Sequence, residues 1–188
     1  SVRQNADTYE SINGFSADTE AISLGDIGDG WKLSCVSNRR VFLANIKIQE
    51  GDDAKTYGDR IMYSEIGKYD TFPSSNFVDV VKGDAEVYTA LVEYGDRLLA
   101  FKNNTLFVLN VANPSPTSWF LEKTFKHKGV KHAEAVFRSE DGVIWVNEAG
   151  CCVYDGQNIQ NLIDDALDPI SFYSSSPEYE LSWRDFYT

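Results

Sequence analysis

Two stretches of this chain superimpose at an offset of 45 residues, and the offset holds through two apolar runs and the turn between them. Asp96 to Phe101 (DRLLAF) matches Asp141 to Val146 (DGVIWV), and Thr105 to Leu109 (TLFVL) matches Gly150 to Tyr154 (GCCVY). Each copy is a polar Asp turn, an apolar run, a second polar turn and a second apolar run. Runs this short, bounded by turn residues, read as strands. Self-similarity at a period of about 40 to 50 residues, with several strands per unit, marks the blades of a β-propeller. An ordinary antiparallel sandwich also has short strands and regular turns, but it has no reason to hold one register through both strands of a repeated pair.

A more widely spaced copy lies upstream. Arg40 to Ile46 (RVFLANI) reads as its first strand and Asp59 to Ser64 (DRIMYS) as its second, with the polar stretch Gln49 to Gly58 inserted between them as a surface turn. Val87 to Val92 and Ala133 to Phe137 precede the paired strands of the later copies, and Ser118 to Phe125 follows them in the middle one, which gives that unit four strands. Gly95–Asp96, Asn103–Asn104, Asp141–Gly142 and Asp155–Gly156 supply residues suited to the turns.

The fold class is therefore all-β: a propeller-like array of about three four-stranded antiparallel blades, with a short C-terminal amphipathic helix. The blades occupy residues 31–157, behind an acidic segment at 1–30 and ahead of a C-terminal piece at 158–188. In that last piece Ile159, Leu162, Ile163, Ala166, Leu167 and Ile170 fall at helical spacing, with Asn158 as N-cap and Pro169 near the stop, which predicts the helix. An acidic tail follows. Phe101 and Val146, and likewise Val108 and Val153, are expected at equivalent inward positions of successive blades. Three units fall short of the four or more blades of a closed ring, so neighbouring subunits, the termini or further chain must cover the open edges.

Composition agrees with a packed domain: 188 residues, 43% hydrophobic and 13% aromatic. No apolar run approaches the roughly 18 residues of a membrane span, and the first residues, SVRQNADTYE, lack the basic and apolar regions of a secretory signal. The chain starts at Ser1 and its one Met is Met62, which fits either removal of an initiator Met or excision from a longer polypeptide. The net charge of −12 is unevenly spread. Residues 1–30 hold Asp7, Glu10, Asp18, Glu20, Asp26 and Asp29 against Arg3, and residues 164–188 hold Asp164, Asp165, Asp168, Glu178, Glu180 and Asp185 against Arg184. The body between them is nearly balanced. Tight phosphate binding needs Lys and Arg to displace counterions, so this chain is not expected to grip nucleic acid, though it could line a passage through which DNA slides. Were there a hidden basic face, Arg39, Arg40, Lys126, Lys128 and Lys131 would be its first candidates.

Reactive chemistry is not legible. Cys35, Cys151 and Cys152 form no disulfide framework, and the adjacent pair points to opposite faces of one strand. His127 and His132 flank a Lys-Gly-Val-Lys turn and read as exposed loop histidines. The Asp/Gly loops Gly25 to Trp31 and Glu50 to Asp53 lack the alternation and the distal bidentate Glu of a calcium loop. Ser139 to Trp145 (SEDGVIW) resembles the Asp-box of sialidase-type propellers but is one residue short, so it reads as a β-turn with a Trp packed between blades. Nucleophile-elbow, zinc-protease and phosphate-loop motifs are missing. No catalytic, cofactor-binding or metal-binding residue is assigned, and the chain is not expected to be an enzyme.

The order of segments resembles a known family. RVFLANI, Asp59 to Pro73 (DRIMYSEIGKYDTFP), Asn76 to Val80, Gly83 to Val111 and Ile144 to Leu162 look like the propeller region of short-tailed phage tail proteins: the tail nozzle, or tail tubular protein B, and packaged-DNA stabilisation proteins. The likeness rests on the Tyr-Ser strand end, the turn through Tyr69, Asp70, Phe72 and Pro73, and the following Gly-Asp and Gly-Asp-Arg-Leu hairpins. It spans roughly residues 30 to 165, whereas family members are several times longer. It implies a structural virion protein of the phage tail: a homo-oligomeric ring that meets an adaptor or portal-side ring, retains packaged DNA and conducts it during ejection without tight binding. Asp141 to Gly156 also resembles the blade repeat of extracytoplasmic two-component sensor propellers, which would imply a ligand-binding module instead. A glycan-active enzyme rests on the defective Asp-box alone.

Overall fold

The structure, a computed structural model, describes residues 10–11, 30–50, 53–81 and 86–163. It is built of strands. β1 (Glu10–Ser11) pairs with β5 (Thr71–Phe72) in a two-stranded ladder. The first four-stranded sheet runs β2 (Trp31–Ser37), β3 (Arg40–Glu50), β4 (Asp53–Tyr63) and β6 (Phe77–Asp79). The second runs β7 (Ala90–Tyr94), β8 (Arg97–Phe101), β9 (Thr105–Asn110) and β10 (Phe120–Lys126). The third runs β11 (Val136–Arg138), β12 (Val143–Asn147), β13 (Gly150–Tyr154) and β14 (Ile159–Asn161). Each four-stranded sheet is an antiparallel meander, as blades are.

Turn chemistry explains the hairpins. Asn38 and Arg39 both have positive φ (48° and 62°) between the paired Ser37 and Arg40, the type I′ geometry that matches strand twist. Gly95, at φ 59°, is the first central residue of the β7–β8 turn, the place where a type II′ turn calls for glycine.

The 45-residue repeat is realised in the hydrogen-bond register. Leu98↔Leu109, Leu99↔Val108 and Phe101↔Leu106 recur as Val143↔Tyr154, Ile144↔Val153 and Val146↔Cys151. The first strands obey it too, since Leu91↔Ala100 recurs as Val136↔Trp145. The fourth strands do not. A 3₁₀ turn, Pro116–Ser118, lengthens the connection from β9 to β10, whereas Asp155 to Asn158 alone joins β13 to β14.

Each blade has a leading face toward the preceding blade and a trailing face toward the next. Phe42, Ala44, Ile61 and Tyr63 of the first blade's trailing face cluster with Leu98, Ala100, Phe107 and Leu109 of the second blade's leading face. Leu99, Phe101, Leu106 and Val108 of the second blade's trailing face cluster with Val143, Trp145, Cys152 and Tyr154 of the third. The ring of Phe101 meets Trp145 edge-on at 5.3 Å, and the Arg138–Glu93 ion pair also joins these two blades. The first strands of successive blades, β2 with β7 and β7 with β11, lie against each other.

Phe101 and Val146 do hold equivalent positions, as do Val108 and Val153. Their burial differs: Phe101 and Val108 are fully buried while Val146 and Val153 are half-buried, because among the described residues the middle blade is packed against a blade on both faces and the third on one.

Two expectations are corrected. The stretch from Gln49 to Gly58 is not wholly an inserted turn; β3 reaches Glu50 and β4 starts at Asp53, so the two extend into it as a long paired arm. The arm leaves the blade at a bulge where Asn45 has φ 54° and its Nδ2 donates to the Tyr88 carbonyl. Nor does a helix begin at Asn158. Asp155 Oδ1 accepts the backbone N–H groups of Gln157 and Asn158, closing a tight turn that brings Ile159–Asn161 onto β13 as a fourth strand. The apolar spacing there serves a sheet edge; the remainder of the expected helix, from residue 164, lies outside the described residues.

Candidate functional site

Repetition places the β8–β9 and β12–β13 turns at the same end of neighbouring blades, and the link from β10 to β11 passes between them. A cleft of about 480 Å³ opens there, lined by Asn103, Asn104, His127, Lys131, Asn147 and Glu148. Asn147 organises it. Its Nδ2 donates to the Gly129 carbonyl at 2.8 Å and the His127 carbonyl at 3.4 Å, while its Oδ1 accepts the Ala149 N–H at 2.9 Å. Gly129 lets the link approach: a Cβ there would stand 2.2 Å from the Lys102 carbonyl oxygen. His127 turns the chain at φ 60°, a region His enters more readily than most residues. Across the mouth Lys131 Nζ pairs with Glu148 Oε1 at 2.6 Å.

The cleft offers amides, an imidazole and one exposed ion pair, the groups of a polar recognition surface. Among the described residues that line it there is no serine, threonine or cysteine. No group of three metal-capable side chains is assembled among the described residues. Ser139 accounts for the Asp-box likeness structurally: its N–H and Oγ both donate to the Gly142 carbonyl, a turn that feeds buried Trp145 into the blade interface.

A second polar cluster sits between the first and second blades. Arg40, only 7% exposed, donates to the carbonyls of Ser64 at 2.5 Å and Pro114 at 3.2 Å, with its guanidinium over the rings of Tyr63 and Trp119. Burial lowers its pKa and raises that of Tyr63, each offset in part by the other's charge.

Of the five candidates for a basic face, three are engaged within the chain, and Arg39 and Lys126 are exposed. Arg40 is locked inside the blade interface, Lys131 is neutralised by Glu148, and Lys128 Nζ reaches Cys152 Sγ at 3.5 Å. Elsewhere Arg60 pairs with Asp79 and Arg97 with Glu122, at 3.0 and 3.1 Å. Sequence reasoning missed Asn147 and the fully buried Lys102, whose Nζ lies over the Tyr88 and Phe107 rings. The repeat itself held the signal, since both occupy the same position in their blades.

No protein-family model matches this chain, and comparison with curated proteins finds no significant relative.

Proposed function

We propose that this chain is a non-catalytic structural protein of a bacteriophage tail, part of a nozzle or DNA-stabilisation ring that retains packaged DNA and conducts it during ejection. Its partners would be further copies of itself and an adaptor or portal-side ring, and its place the virion. The observation that carries the reading is electrostatic. Arg40 is spent on internal carbonyls and rings, and Arg60, Arg97 and Lys131 are paired with carboxylates, while the chain as a whole carries −12. A surface of that sign lets a polyanion pass without holding it. The segment order that resembles tail nozzles supports the more specific reading. No helix among the described residues is long and apolar enough to span a membrane.

The polar cleft at Asn147 favours the rival reading, a ligand-binding propeller module of a sensor. Immuno-electron microscopy with antibodies against the blades separates the two. Label on phage tails in a lysate of the host supports the virion reading, and label on the host envelope overturns it.

A further inference from the structure

Arg40 and Arg97 hold the same place in successive blades: each opens the second strand after a hairpin turn, in the pairs Ser37↔Arg40 and Tyr94↔Arg97. Their partners differ. Arg97 meets the Glu122 carboxylate at 3.1 Å, and Asn110 Nδ2 donates to the same carboxylate at 3.1 Å. Arg40 is more deeply buried, at 7% exposed, yet among the described residues no carboxylate forms an ion pair with it. The carbonyls of Ser64 and Pro114 occupy two of the five N–H groups a guanidinium carries. A buried charge is costly unless it meets a counter-charge, so the remaining donors call for an anion.

There is room for one. A pocket of about 420 Å³ lies against Arg40, lined also by Tyr63, Glu65, Ile66, Asn76 and Pro116. Glu65 is already paired with Lys68. Arg39 lies over the same turn, since a Cβ on Gly67 would stand 3.4 Å from its Nη2. Counting Asp70, which accepts from the Thr71 hydroxyl, the surroundings set Arg39, Arg40 and Lys68 against Glu65 and Asp70, a positive balance within a chain of −12. The lengthened β9–β10 connection, which departs from the repeat, supplies Pro116, the Pro114 carbonyl and the Trp119 ring to this site.

We propose that this pocket binds a small organic monocarboxylate, held by Arg40 and Asn76 as Glu122 is held by Arg97 and Asn110, with its apolar body against Ile66 and Pro116. The planar carboxylate matches the guanidinium fork. Asn76, anchored through its backbone to Pro73 and Tyr63, supplies the amide. A phosphate carries more charge into a chain of −12 and is disfavoured, and a duplex backbone does not reach a side chain this buried. The inference goes beyond the virion reading and holds or fails independently of it.

Nuclear magnetic resonance titration of the isotope-labelled full chain tests it, with benzoate, benzamide and inorganic phosphate as probes and the Arg40 Nε–H and Asn76 side-chain signals as readout. Benzamide matches benzoate in shape and lacks its charge. The expected result is saturable movement of both signals by benzoate, with a dissociation constant below about 1 mM, and binding at least about tenfold weaker for benzamide and for phosphate. Arg40→Lys keeps the charge and loses the fork, and Ile66→Asp sets a like charge beside the ligand. Each should weaken benzoate binding at least about tenfold. Should Arg40→Lys misfold by circular dichroism, Ile66→Asp decides, because Ile66 is 40% exposed and supports no core. Three outcomes overturn the proposal: no saturable shift with benzoate, benzamide or phosphate binding as tightly as benzoate, or benzoate binding unmoved by Ile66→Asp.

Discussion

Trp145 shows how one residue ties blade to blade. Its side chain is fully buried against Phe101, yet its Nε1–H has no hydrogen-bond partner among the described residues. The indole therefore contributes by packing, against the cost of a stranded donor. Trp145→Ala should cost about 3–5 kcal/mol, the usual cost of emptying a large aromatic site, while Trp145→Phe should cost clearly less because it also removes the stranded donor; chemical denaturation of the two variants checks the order. Asn147 is the polar counterpart, closing three hydrogen bonds around the cleft. Asn147→Ala leaves the carbonyls of His127 and Gly129 without that donor, for a loss of about 1–3 kcal/mol in the same assay.

Cys35 provides a pH signature. Burial first, and the charge of Glu93 second, push its thiol up to about 12. An unfolded thiol ionises near 8.5. The neutral thiol is thus equally bound in both states below that value, and between about 8.5 and about 12 only the unfolded chain releases the proton, so stability falls as pH rises. A Cys35→Val variant should show a shallower decline of melting temperature from pH 8 to pH 10 than the wild type. Parallel curves would count against the shift.

Among elements, the middle blade differs from its neighbours by having both faces covered. Leu98 through Phe101 and Leu106 through Leu109 are almost wholly buried, while β12 and β13 alternate between buried and half-buried residues. Local opening of β8 and β9 therefore requires parting two interfaces rather than one. Their amides should be the slowest to exchange in native-state hydrogen exchange, and those of β14 at the edge of the third blade among the faster. Equal protection across β8, β9, β12 and β13 would contradict the stacking order.

For the whole molecule, electrostatics is the testable consequence. Non-specific duplex affinity scales with phosphates neutralised by Lys and Arg. With Arg40 engaged internally, Arg60, Arg97 and Lys131 paired with carboxylates and a net −12, titration at physiological salt should give no measurable binding to duplex DNA. Binding that weakened steeply with added salt would show a basic face and replace a low-friction conduit by a clamp.

The sequence by itself determined the blades, because apolar alternation and turn chemistry are local and a repeat of 45 residues carries both strands and their register together. It predicted the packed Trp145 and the equivalence of Phe101 with Val146 for the same reason. Tertiary structure decided the rest. Whether Ile159–Asn161 coils or pairs depended on a free strand edge of β13, which helical spacing cannot sense. Whether Gln49 to Gly58 loops or extends depended on its partner strand. The cleft at Asn147 arises only where three segments distant in sequence converge, and the open trailing face is apolar in the same pattern as its buried equivalents. Position in the stack, not residue type, makes one a core and the other a surface.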